Sequence, residues 1–353
     1  MVVMEQLQTN LFGKTYTEIQ EIVNDLSLPS YSTGQICNWL YKKNADSIEK
    51  ISNLSKSART ALSKQYTIRH DTPQDFQVSS DGTKKYLFLT IRSRYIEAAY
   101  IPEVSRHTVC ISSQVGCKWG CLFCMTGKQG FQGNLTAAEI LNQFAGIPEK
   151  DIITNIVYMG MGEPLDNPDE VLKSLEILTS SYGYAMSPSR ITVSTIGIIP
   201  ALKVFIEKSN CHLAVSLHSP FSDERKQIMP VESVFPVKEV VETLKSYKLG
   251  RQRRISFEYI MFKGFNDTRR HVNEIARLLN GMKCRINLIR LHSVPGIPFK
   301  SSEDDTILRF RNSLSGKGII TTIRASRGLD ILAACGLLST RHLSNDKPLT
   351  SSD

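Results

Sequence analysis

The sequence predicts an α/β protein, a partial TIM-like (β/α)6 barrel preceded by a small helical domain and a short antiparallel β region. Three observations in its 353 residues carry that reading. From about residue 105 onward, short β-branched runs alternate with helical patterns, as repeated βα units on a parallel sheet require. Through residue 70, apolar side chains recur at helical spacing instead. Between the two lie β-rich runs separated by turn residues.

The elements follow in order. Residues 1–70 hold Ile19, Ile22, Val23 and Leu26, then Ile36, Trp39 and Leu40, then Leu54, Ala58 and Leu62, one apolar stripe for each of three helices. Residues 71–104 carry an Asp81-Gly82 turn, and Arg92-Ser93-Arg94 separates a further pair of β-rich runs, so an antiparallel linker meander is expected. Residues 105–340 contain HTVCIS, ITNIVYM, RITVST, CHLAVSL, RISFEYIM, CRINLI and IITTIRA, most of them followed by a helical pattern. In such folds ligands gather at the carboxyl ends of the strands. Residues 341–353 form a polar tail, and no internal repeat stands out.

Composition narrows the function classes. A hydrophobic content of 41% suits a soluble globular chain. No run of about 18 apolar residues occurs, and the first residues lack the charged and apolar regions of a secretory signal. A cytoplasmic monomer without membrane contact is therefore expected. The formal charge of +9 divides as +2 over residues 1–70, 0 over 71–116 and +7 over 117–353, an excess that favours a polyanionic partner. Lys128, Arg251, Arg253, Arg254, Arg269 and Arg270 are candidate phosphate contacts. Eight cysteines are too dilute for a disulfide scaffold, so clustered thiols point to metal or redox chemistry.

Three of them are clustered. GCKWGCLFCMTGKQG places Cys117, Cys121 and Cys124 in a stretch whose Gly116, Gly120 and Gly127 argue against a continuous helix. A structural zinc site wants four closed ligands. Three thiolates alone suit a [4Fe-4S] cluster with one iron lacking a protein ligand, free to chelate a cofactor. Zinc completed by Cys110, Cys335 or a histidine stays open as the alternative.

This spacing, with Phe123 before the last cysteine, resembles the radical S-adenosylmethionine superfamily. The resemblance implies that the open iron binds the methionine part of S-adenosylmethionine and that an electron from the cluster yields a 5'-deoxyadenosyl radical. Gly160-Met161-Gly162-Glu163-Pro164, Ser194-Thr195 and Ser216-Leu217-His218 end the second, third and fourth strands, where cofactor contacts belong. Singly, each is an ordinary strand end; together, downstream of the cysteines, they form a pattern.

SSQVGCKWGCLFC, MGMGEPL, VSTIGIIP, SLHSP, INLIR and AACG, in that order, are similar to the RlmN family of adenine-C2 RNA methyltransferases, with the C8-methylating Cfr enzymes as relatives. The similarity spans roughly residues 15 to 340. It implies that Cys335 takes a methyl group from one S-adenosylmethionine and that a second supplies the radical that activates it. The resulting adduct with adenine C2 is resolved by Cys110, which leaves a transient disulfide with Cys335, while Glu97 accepts the proton. Gly162, Glu163, Ser194, Ser216, Leu217 and His218 are implied as cofactor contacts. His292 stands where many relatives have Asn and is expected to keep a hydrogen bond to the cofactor. The implied substrates are 23S rRNA at adenine 2503 and adenine 37 of tRNAs, with an electron donor such as flavodoxin. Adenine C2 is an electron-poor amidine carbon, so a polar methyl transfer to it fails and a radical route has a physical reason. C8 methylation of the same adenine and a non-catalytic, zinc-containing RNA-binding protein are the alternatives. Cys37, Cys211 and Cys284 match no functional position and are assigned to packing.

Overall fold

A computed structural model describes residues 8–250, 253–292, 294 and 296–340. Arg251 and the expected tail 341–353 lie outside the described residues. The amino-terminal helices are α1 (Tyr16–Asp25), α2 (Ser32–Tyr41) and α3 (Lys56–Ser63). A capping box starts α1: the Thr15 hydroxyl accepts from the Glu18 amide while the Glu18 carboxylate accepts from the Thr15 amide. Their stripes bury as the spacing predicts, with Ile19, Ile22 and Val23 on α1, Ile36 and Leu40 on α2, and Ala58 and Leu62 on α3. The Glu18–Lys173 pair at 2.6 Å ties this domain to the barrel. Gly13, at φ +88°, presses so closely on Ala138 that an added Cβ would fall 2.6 Å from its backbone nitrogen.

A ten-stranded sheet follows in unbroken sequence order. Its strands are β1 (Asp75–Val78), β2 (Lys84–Leu89), β3 (Tyr95–Pro102), β4 (His107–Cys110), β5 (Asn155–Tyr158), β6 (Ile191–Thr195), β7 (His212–Ser216), β8 (Ile255–Met261), β9 (Cys284–Arg290) and β10 (Ile320–Ile323). Pairing is antiparallel from β1 to β4 and parallel from β4 to β10. The meander is therefore no separate linker. It extends the barrel sheet, because β3 satisfies the hydrogen-bonding edge that β4 would otherwise expose.

Six crossovers join the parallel strands. They carry α4 (Met125–Gln129) and α5 (Ala137–Ala145), α6 (Pro168–Thr179), α7 (Ile199–Lys208), α8 (Ser222–Ile228) and α9 (Val237–Ser246), α10 (Arg269–Leu278), and α11 (Asp304–Gly316). The six expected βα units are thus present, and β10 adds a seventh parallel strand. Since β10 and β1 are both edges, the barrel is incomplete. All seven residues of β8 are buried, and its near-continuous apolar run marks a strand covered on both faces. Ser256 and Glu258 interrupt that run with a period of two, so they share a face of the strand.

Candidate active site

The cysteine loop follows β4 and takes its shape from glycine. Gly116, at φ +73°, sits where an added Cβ would lie 1.7 Å from the Gly130 carbonyl oxygen, so the loop doubles back on itself only without a side chain there. Gly127, read from sequence as a helix breaker, instead lies within the short α4, which starts after Cys124. Its missing Cβ leaves room for the Cys121 amide nitrogen, 3.1 Å from where that carbon would be. Cys117, Cys121 and Cys124 line one cavity of about 150 Å³ at the carboxyl ends of the strands. Burial, then the neighbouring thiols Cys124 and Cys117, push the Cys121 thiol well above its ordinary value. Burial likewise raises Cys117 to about 12. A cationic centre is what lets such thiols ionise.

Gly162, Glu163, Ser194, Ser216 and His218 share that cavity. The Glu163 carboxylate accepts from the Thr195 hydroxyl at 2.6 Å and from the Ile196 and Leu165 amides at 3.0 Å. Burial nonetheless lifts it to about 7, against those bonds. His218 adopts φ +53° and accepts from the Ile260 amide at Nδ1, 3.0 Å away, which leaves Nε2 to carry the ring proton. Burial, with help from the Arg225 charge, drops it to about 3, so the ring is neutral. The Phe123 ring meets it edge-on at 4.7 Å, which gives the aromatic before the last cysteine a packing role. Leu217 is fully buried behind the wall and contributes backbone alone: its amide donates to the Glu258 carbonyl.

Cys335 lies on an exposed turn. The segment carrying it is fastened at both ends. Upstream, the Asp330 carboxylate accepts from the Ser79 hydroxyl and the Ser80 amide, while Asp81 accepts from the Gly328 amide. Downstream, the Met125 amide donates to the Gly336 carbonyl at 2.8 Å and the Thr126 hydroxyl to the Leu338 carbonyl at 2.6 Å. These bonds lay Cys335 against the cysteine loop. Its side chain lines the smaller cavity and also a larger one of about 470 Å³, which runs down the barrel interior and includes Cys110. Burial and the nearby Cys335 raise the Cys110 thiol to about 12.

Two predicted residues sit elsewhere. Glu97 lies on neither cavity wall; its carboxylate pairs with Lys85 at 3.0 Å and accepts from the Ser339 amide at 2.9 Å, all within the core. His292 lines the larger cavity rather than the smaller one. Of the basic candidates, Arg254 reaches the larger cavity. Arg253 donates to the Ile206 carbonyl at 2.8 Å, and Arg270 pairs with Glu224 at 2.8 Å over the Phe221 ring, so both serve the fold. The structure adds Glu258 and Arg324, which line both cavities beside Cys335 and approach each other to 3.8 Å. Arg324 also donates to the Met159 sulfur at 3.5 Å. An acidic residue inside the apolar run RISFEYIM was the available signal for the first; Arg324 gave none, standing just after a strand like many basic residues.

The smaller cavity fits an iron–sulfur cluster together with S-adenosylmethionine. It offers three soft thiols, a buried carboxylate for an amino group and the Trp119 indole N–H, which has no partner among the described residues. Comparison with known proteins agrees. Residues 111–279 match the family model described as the radical SAM superfamily, and residues 9–68 match the ribosomal RNA large subunit methyltransferase N-terminal domain. A "Probable dual-specificity RNA methyltransferase RlmN" from Bacteroides fragilis is 53% identical over 330 residues, 94% of this chain and 96% of that one. A "Dual-specificity RNA methyltransferase RlmN" from Syntrophus aciditrophicus is 39% identical over 96% of this chain and 99% of its own. The crystal structure of a radical SAM methyltransferase from Sphaerobacter thermophilus is 37% identical and superposes with a TM-score of 0.86 over 94% of this chain and 99% of that one. At 37–53% identity over 94–96% of its length to these proteins, this chain belongs to the RlmN family of radical S-adenosylmethionine RNA methyltransferases.

Proposed function

We propose that this protein methylates C2 of adenine 2503 in 23S rRNA and of adenine 37 in tRNAs, with Cys335 carrying the methyl group. The observation that carries the reading is the position of Cys335 on the wall shared by the two cavities, with the three cluster thiols on one side and Cys110 on the other. When bound, the cluster and two molecules of S-adenosylmethionine per turnover supply an electrophilic methyl group and a hydrogen-abstracting radical. The chain's residues do the rest. Cys117, Cys121 and Cys124 hold the cluster; Glu163, Ser194, Ser216 and His218 orient the cofactor. The guanidinium of Arg324 lines both cavities beside Cys335, the sulfur that accepts the methyl group. The larger cavity, lined by five arginines against two glutamates, suits an unstacked adenine with its phosphates.

Once Cys335 bears the adenine adduct and the C2 proton has left, the Cys110 thiolate attacks the Cys335 sulfur, forming an S–S bond as the C–S bond breaks; that bond's electron pair stays with the departing carbon, which takes a proton to become the methyl group. For Glu97 to take the C2 proton, the Ser339 amide must release its carboxylate. Glu97→Gln separates that role from buttressing: loss of the base accumulates RNA-linked enzyme, whereas loss of the buttress prevents the link from forming. Digestion of product RNA and mass spectrometry of its nucleosides test the assignment. The expected product is 2-methyladenosine; 8-methyladenosine alone overturns it.

A further inference from the structure

Arg225 is fully buried, yet it lies on neither cavity wall. Its guanidinium spends two of its three nitrogens on the ends of two strands and the third on a carboxylate. Nε donates to the Leu217 carbonyl at 3.0 Å, Nη2 to the Ser216 carbonyl at 2.9 Å and the Ile196 carbonyl at 3.0 Å, and Nη1 pairs with Glu232. Glu232 in turn accepts from the Val237 amide at 3.0 Å, where α9 begins. Those carbonyls flank Ser194, Ser216 and His218. The helix that carries Arg225, α8, also grips the cysteine loop, because the Ile228 carbonyl accepts from the Leu122 amide at 3.0 Å. We infer that Arg225 is a positioning residue that fixes the S-adenosylmethionine contacts at the ends of β6 and β7 relative to the cluster thiols. The inference rests on reading the smaller cavity as the cofactor site. A planar fork that donates in several directions at once explains why Arg stands here: a lysine carries the same charge but cannot span three carbonyls and a carboxylate. Burying so polar a group is tolerated because each of its three nitrogens has a partner, one of them the Glu232 carboxylate.

Arg225→Lys tests this, with Glu232→Gln as a milder second variant. In metal-free protein, amide hydrogen exchange is expected to quicken at residues 195–198 and 216–219 while the amino-terminal helices stay protected. After anaerobic reconstitution, Arg225→Lys retains iron but binds S-adenosylmethionine about tenfold more weakly in equilibrium dialysis, the size expected for lost hydrogen bonds to a charged group. Glu232→Gln moves both readouts in the same direction by less. Unchanged local exchange with unchanged affinity overturns the inference, and so does exchange that quickens over the whole chain, the mark of a general loss of stability. If the unsubstituted protein itself fails to bind S-adenosylmethionine, the cavity reading falls and the inference with it; a failure confined to the variants leaves that reading standing.

Discussion

The chemistry turns on a few side chains whose environments differ from their neighbours'. Cys335 is exposed where most sulfurs of the chain are covered, and Cys110 is enclosed in a strand, so one thiol can meet a substrate and the other waits behind it. Cys335→Ala is therefore expected to abolish methylation, and Cys110→Ala to trap a covalent RNA–enzyme species visible as a slow band on a denaturing gel. Full turnover by either variant contradicts its role. His218 yields a stability prediction. Burial holds its folded value near 3 against 6.5 when free, so between those values the unfolded chain binds the extra proton and stability is lost as pH falls. Lowering the pH from 7 to 5 should cost the parent protein about 2 kcal/mol more than His218→Asn, a residue that also accepts positive φ. Equal losses in denaturant titrations would show that the ring is not held neutral.

Elements set the distances between these residues. The loop after β4 closes only because Gly116 has no side chain to meet the Gly130 carbonyl, and the turn at Cys335 is pinned to α4 through Met125 and Thr126. Gly116→Ala forces a Cβ into a carbonyl at a left-handed position. The strain should reach at least about 2 kcal/mol and be relieved locally, so the protein folds but fails to retain iron after reconstitution. Iron retention at the parent level would show that the loop tolerates another path. Spacing in the sequence disclosed β6, β7 and β8 readily, because buried parallel strands read as apolar runs. It did not disclose that the Asp81 turn grips the segment leading to Cys335, a contact between residues about 250 positions apart.

Across the whole molecule, positive charge becomes useful where the fold concentrates it. Arg106, Arg254, Arg285, Arg324 and Arg327 come from four places in the chain and line one cavity. Arg254→Gln and Arg285→Gln should each weaken RNA binding and reduce the slope of log affinity against log salt by about 1, measured by filter binding across a salt series. A slope unchanged in both would remove these residues from the phosphate path.

By itself the sequence determined the alternation of strand and helix, the three-thiol loop and the strand-end motifs, because these depend on residues close together along the chain. It identified Cys110 and Cys335 through similarity alone. Only the tertiary structure decided that Cys335 stands between two cavities, that Glu97 buttresses Ser339 from within the core, that His292 belongs to the larger cavity, that Arg324 lines both cavities and that Arg225 bridges the ends of β6 and β7. The reason is physical: burial, ion pairing and cavity walls arise from segments far apart in sequence, and local pattern carries no record of which of them will meet.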